Sequence, residues 1–255
     1  MAATLTAAFW LAVTAQRGFR GPPQMNDPTP ANATYDGRFT FARLKYAVAS
    51  GGYYYRGLPS WAHGYPDAEH NLLRITKEIS LFRPRLDTTD IIGIEDPALF
   101  RHPVSYMTEA GYWLTTDTEV ATLRRYLLKG GFLILDDSRD GTYPGNMGWA
   151  NIEANFAKVL PELRWVELTP TYTIFHSFYD VDSFDVVRQY YDRGRPIFRA
   201  LFADNDPTKR ILVLANFNTD ISNYWEFSAT GFKAVGESNE AYKLGVDYLI
   251  YALTH

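Results

Sequence analysis

The stretch that decides the fold is TDTEVATLRRYLLKGGFLILDD, residues 116–137. Thr116 has the chemistry of a helix N-cap, Glu119 follows three positions on, and Asp117 and Glu119 put negative charge into the first turn. Val120, Leu123, Leu127 and Leu128 line one face, Arg124, Arg125 and Lys129 gather near the end, and Gly130-Gly131 closes the helix. Phe132-Leu133-Ile134-Leu135 is apolar without alternation, as expected of a strand covered on both faces. It leads into Asp136-Asp137-Ser138-Arg139-Asp140-Gly141, read as a polar loop at a strand's carboxyl end.

The same logic extends in both directions. Residues 38–46 (RFTFARLKY) alternate polar and apolar, a half-buried strand. A glycine-rich aromatic loop, Gly51 to Pro66, separates it from Leu72, Leu73, Ile75, Ile79 and Phe82, which recur at helical spacing from about Glu69. Pro103–Thr108 reads as a strand and Ile152–Leu160 as a helix. Pro196–Phe202 and Ile211–Asn216 read as further strands, and Glu237–Leu253 is a helix with Ala241, Leu244, Leu249 and Ala252 inward. Strands alternating with helices predict an α/β layered domain with a mostly parallel sheet.

Composition narrows the function. In 255 residues the formal net charge is −4, which speaks against a broadly basic nucleic-acid binder. The absence of cysteine removes thiol nucleophiles, thiolate metal sites and disulfides together. Aromatic residues make up 16%, with 18 tyrosines, more phenolic hydroxyls than a core easily partners. Part of that aromatic surface is expected to meet a ligand or another protein.

Three segments are expected: an apolar arm over 1–16, a proline-rich strap over 17–36, and one α/β domain over 37–255. Residues 5–15 (LTAAFWLAVTA) are uncharged and apolar but too short to span a bilayer. They have the length of a signal-peptide core, with Val13-Thr14-Ala15 as a small-residue cleavage site, yet no basic residue precedes them. A removed secretory signal and a retained arm on a membrane surface or partner are both consistent with that run.

The runs FTFARLKY (39–46), TDTEVATLRRYLLKGGFLILDD, TIFHSFYD (173–180) and LGVDYLIYALTH (244–255) together resemble an uncharacterised bacterial family with a class I glutamine-amidotransferase-like fold. In architecture that family is akin to trehalose-utilisation-type proteins. The resemblance implies a flavodoxin-like three-layer sandwich over about Phe39 to His255, in proteins commonly exported or membrane-tethered. More narrowly, the sequence resembles accessory subunits of double-ring bacterial reaction-centre–antenna photosystems. True amidotransferases carry a cysteine at an elbow after a central strand; the corresponding strand here leads into Asp136 and Asp137, so thiolate glutaminase chemistry is excluded.

Asp136, Asp137 and Asp140 are the leading candidates for chemistry, because ligands of open α/β sheets bind beyond the carboxyl ends of strands. Neighbouring carboxylates can hold a hard cation or divide acid and base roles, with His176 as a helper. The plainer alternative is that these aspartates cap the following turn while Arg139 pairs locally. Of the five histidines no two stand at zinc-helix spacing, and Ser177 lacks a nucleophile elbow. The loop 51–66 concentrates Tyr53, Tyr54, Tyr55, Arg56, Trp61 and Tyr65, residue types that dominate protein interfaces. Its alternatives are a sugar-stacking surface and a loop packed on its own rings.

The expected function is therefore a non-catalytic accessory subunit, periplasmic and membrane-associated, without a cofactor or nucleic-acid partner. It would dock on a membrane protein complex through Phe9, Trp10 and the aromatic loop. The alternatives are a carboxylate-dependent hydrolase and a carbohydrate-binding protein.

Overall fold

The structure, a computed structural model, describes residues 31–54, 57–139, 147–188 and 194–255. In chain order the first elements are β1 (Ala42–Lys45), β2 (Ala47–Val48), β3 (Tyr53–Tyr54), β4 (Leu58–Pro59), α1 (Asp67–Ile79), β5 (Asp90–Gly93) and β6 (Val104–Thr108). Then come β7 (Trp113–Leu114), α2 (Asp117–Leu128), β8 (Phe132–Ser138), α3 (Gly148–Val159) and β9 (Val166–Leu168). β10 (Ile197–Phe202), β11 (Ile211–Phe217), α4 (Ile221–Glu226) and α5 (Val235–Thr254) complete the chain.

Seven strands form one sheet in the order β5-β1-β6-β8-β11-β10-β9. β5, β1, β6, β8 and β11 are mutually parallel, and only the β10 pairings are antiparallel. This is the mostly parallel three-layer α/β sandwich predicted above. β8 is central and all seven of its residues are buried. Phe132 and Ile134 point into the layer shared with α1, α4 and α5, while Leu133 and Leu135 pack against Leu123 and Leu127 of α2 and Phe156 of α3. Each such side chain contributes roughly 1.5–3 kcal/mol by leaving water.

Helix α2 starts as its sequence dictates. The Thr116 hydroxyl accepts from Glu119 N at 3.2 Å, and Glu119 Oε2 accepts from Thr116 N at 2.9 Å. At the other end Gly130 adopts φ +117°, and a Cβ on Gly131 would stand 2.4 Å from the Tyr126 ring, so both glycines are required.

β8 does not stop at Leu135. It continues through Asp136 and Asp137 to Ser138, because β6 and β11 pair with it beyond the apolar run. The chain enters the described domain along the β5 edge, where the Asn32 side chain both donates to Ile91 O and accepts from Ile91 N, each at 2.9 Å. Among the described residues no helix is long and apolar enough to cross a membrane.

Candidate functional site

The parallel strands deliver their carboxyl ends to one edge of the sheet, where loops can converge on a ligand. Glu109 directly follows β6, Asp137 is the second-to-last residue of β8, and Asp220 follows β11 by three residues. Glu109 and Asp137 both adopt left-handed backbone conformations, at φ 50° and 51°. Non-glycine residues there are costly, of order 1–3 kcal/mol each, and such positions concentrate at working sites.

His63 reaches the same edge from the aromatic loop, and buried chemistry holds it there. The Arg43 guanidinium, fully buried on β1, donates to the carbonyl oxygens of Trp61 at 3.0 Å and His63 at 2.8 Å. It also pairs with the buried carboxylate of Glu69 in the first turn of α1. Tyr46 Oη lies 2.8 Å from the carbonyl oxygens of Thr108 and Glu109 and 3.1 Å from Ser60 Oγ, tying this loop to the end of β6.

His63 Nδ1 stands 3.1 Å from Glu109 Oε1 and 3.0 Å from Asp137 Oδ2. The imidazole is 28% exposed and so can be reached from outside, whereas Asp137 is buried and its Oδ1 accepts from Arg139. Asp220 caps α4: its Oδ1 accepts from Asn223 N and from Ser222 Oγ, each at 2.9 Å. One ligand-type atom each from His63, Asp137 and Asp220 lies within 4.8 Å of the others, so these three can hold a metal ion. Glu226, on α4, has its carboxyl raised by burial, with the neighbouring His63 acting in the opposite direction.

Asp136 faces the other way. Its Oδ2 accepts from Tyr106 Oη at 2.6 Å and Ser222 N at 2.9 Å, and its Oδ1 from Asn216 Nδ2 at 3.0 Å and Ile221 N at 3.3 Å. Burial pushes its carboxyl up to about 6, and the charge of Asp220 acts in the same direction. With no exposed surface and four donors, Asp136 fastens α4 to the sheet. A polar loop was expected at Asp136 and Asp137, but both are strand residues, one turned inward and one to the edge.

His176 does not join Asp136 or Asp137. Its Nδ1 bonds Asp180 at 2.8 Å and its Nε2 lies 2.7 Å from Pro170 O, so both ring nitrogens are committed locally. The aromatic loop is folded inward: Trp61 is 5% exposed, beneath Lys45 Nζ at 5.6 Å, and Tyr65 is half-buried. Tyr53 remains exposed. Trp61 is thus part of the core rather than of a docking face, because Arg43 draws the backbone of residues 61–63 onto the sheet. Phe9, Trp10, Tyr55, Arg56, Asp140 and the side chain of Tyr54 lie outside the described residues.

His63, Glu109 and Asp220 were not singled out in the sequence. The available signal was an acidic residue at or just beyond a strand end, present at both Glu109 and Asp220. His63 sits among glycines and a proline just before an acidic helix start.

A protein-family profile, a domain of unknown function (DUF4159), matches residues 40–253, and the chain belongs to that family. No curated protein matches it. Neither finding carries an amidotransferase or photosystem name.

Proposed function

We propose that the carboxyl-edge cluster is an acid–base centre that hydrolyses a small polar substrate. The observation that carries this reading is the His63 imidazole held within hydrogen-bonding distance of both Glu109 and Asp137, on three separate elements. Glu109, partly exposed, serves as the base: it takes a proton from the attacking water and returns it to the leaving atom. His63 and Asp137 orient and polarise the substrate. The amidotransferase-like resemblance supports this edge as ancestral catalytic ground with a carboxylate in place of the thiol.

The test is turnover of p-nitrophenyl acetate, phosphate and glycosides by the wild-type chain and by Glu109→Gln. Hydrolysis of one class, falling roughly a hundredfold or more in the variant, is expected from loss of a general base. Equal rates in both proteins would remove the reading.

A second reading, an accessory subunit on a membrane complex of the periplasm, draws support from the opposite end of the molecule. α1 runs back from the site, and at its last turn Ile79, Leu81, Phe82, Phe178 and Ile250 line an open groove of about 590 Å³, with Leu81 92% exposed. Exposed apolar grooves of this kind suit protein contacts. Co-purification of the full chain with membranes, lost in Leu81→Asp, tests it; a photosynthetic reaction-centre complex is the partner that the sequence resemblance suggests.

A further inference from the structure

We infer that His63, Asp137 and Asp220 form a binding site for one divalent transition-metal ion; the inference rests on the acid–base reading of the same edge and names its cofactor. The three ligand-type atoms come from the loop before α1, the end of β8 and the turn after β11, and lie within 4.8 Å of one another. Ligands bound to one cation at about 2.0–2.2 Å stand about 2.8–3.6 Å apart, from right-angle to tetrahedral geometry. The 3.0 Å separation of His63 Nδ1 and Asp137 Oδ2 is therefore the spacing of two ligands on one ion as well as that of a hydrogen bond.

The electrostatics point the same way. Asp137 and Asp220 are both nearly inaccessible, at 3% and 1% exposure, and Arg139 pairs with the first; a cation between the two carboxylates would lower their mutual repulsion further. On the adjoining helix turn, Glu226 Oε2 is buried and has no hydrogen-bond partner. It stands 3.5 Å from where a Cβ on Gly64 would be, beside His63, so a further negative group turns toward the cluster. A buried carboxylate oxygen without a partner calls for an account such as a bound ion or ordered water.

The donor set selects the class of ion. An imidazole nitrogen with two carboxylates suits zinc, manganese or iron, whereas calcium and magnesium prefer all-oxygen shells. Three protein ligands with further positions open describe a catalytic rather than a structural metal site. Glu109 is not among the three, which leaves it as the base. Arg139 holds Asp137 Oδ1, and Ser222 and Asn223 hold Asp220 Oδ1, so both carboxylates are oriented from behind.

The experiment is titration of the full chain, stripped with chelator, with Zn²⁺ and with Mn²⁺ by calorimetry, with Ca²⁺ and Mg²⁺ as comparisons. One equivalent of Zn²⁺ or Mn²⁺ is expected to bind, preferred over Ca²⁺ and Mg²⁺ and weakened about tenfold or more in His63→Ala and in Asp220→Asn. Asparagine is itself a good N-cap, so the second variant preserves α4. No saturable binding below about 1 mM, or equal affinity in both variants, overturns the metal site. Hydrolysis that persists undiminished in chelator also overturns it while sparing the acid–base reading. Stoichiometric, variant-sensitive binding without turnover of any substrate upholds the metal site and removes the hydrolase.

Discussion

The guanidinium of Arg43 lies 2.8 Å from the carbonyl oxygen of His63, so a charge in the core fixes a residue at the edge. The same side chain is paired with Glu69, and both are essentially inaccessible. Removing one member of such a pair leaves the other charge buried and uncompensated, at about 3–5 kcal/mol. Arg43→Met is therefore expected to lose stability on that scale in urea unfolding. Arg43→Met combined with Glu69→Leu should regain most of it yet remain impaired in ligand or metal binding, because the 61–63 carbonyls still lack their donor. Full recovery of both properties would show that the pair only packs.

Asp247 gives a pH dependence of stability. Its Oδ1 accepts from Phe178 N at 2.9 Å and Tyr179 N at 2.8 Å, its Oδ2 has no partner, and burial pushes the carboxyl up to about 6. A folded-state value above the unfolded one means the native state holds its proton more tightly. The associated stability is present in full below about pH 4 and is lost as pH rises through about 6, on the order of 2–3 kcal/mol. Asp247→Asn cannot titrate. Its unfolding free energy should change less between pH 4 and pH 7 than that of the wild type; equal changes would contradict the assignment.

Glu109→Gly tests the left-handed backbone. Glycine adopts φ 50° without penalty, and the backbone bonds of residue 109 to Asp136 O and Tyr112 N do not need the side chain. Thermal unfolding should show unchanged stability or a gain of about 1 kcal/mol, together with loss of the proposed hydrolysis. A clear destabilisation would mean that the His63 contact outweighs the strain.

Thr116→Ala serves as a control remote from the chemistry. It removes one half of the α2 capping box and should cost about 1 kcal/mol by denaturant titration. Turnover and metal affinity should stay at wild-type values.

The layers of this fold are legible where local rules and burial agree. Thr116, Glu119 and Gly130 mark the ends of α2, and the unbroken apolar run Phe132–Leu135 marks a strand covered on both faces. β5 and β9 went unread because four- and three-residue strands carry too little pattern. The site was legible only in part. Asp137 was found because it ends the most recognisable strand, but its companions are more than 25 residues away in either direction, and no spacing rule links them. His63 was hidden inside an aromatic loop whose composition suggested a surface, when its tryptophan in fact closes the core. Neighbouring Asp136 and Asp137 looked equivalent on paper; backbone direction alone separates a fastening from a member of the candidate cluster.

The fastening matters for observation. Asp136 anchors the start of α4, the helix that Asp220 caps, and the same helix carries Trp225, whose indole bonds Ala241 O at 2.9 Å and lies 6.2 Å from the Tyr106 ring. A fluorophore is thereby built into the mount of the cluster, and once the other five tryptophans are replaced by phenylalanine, emission from Trp225 would gauge occupancy of the proposed site without any label.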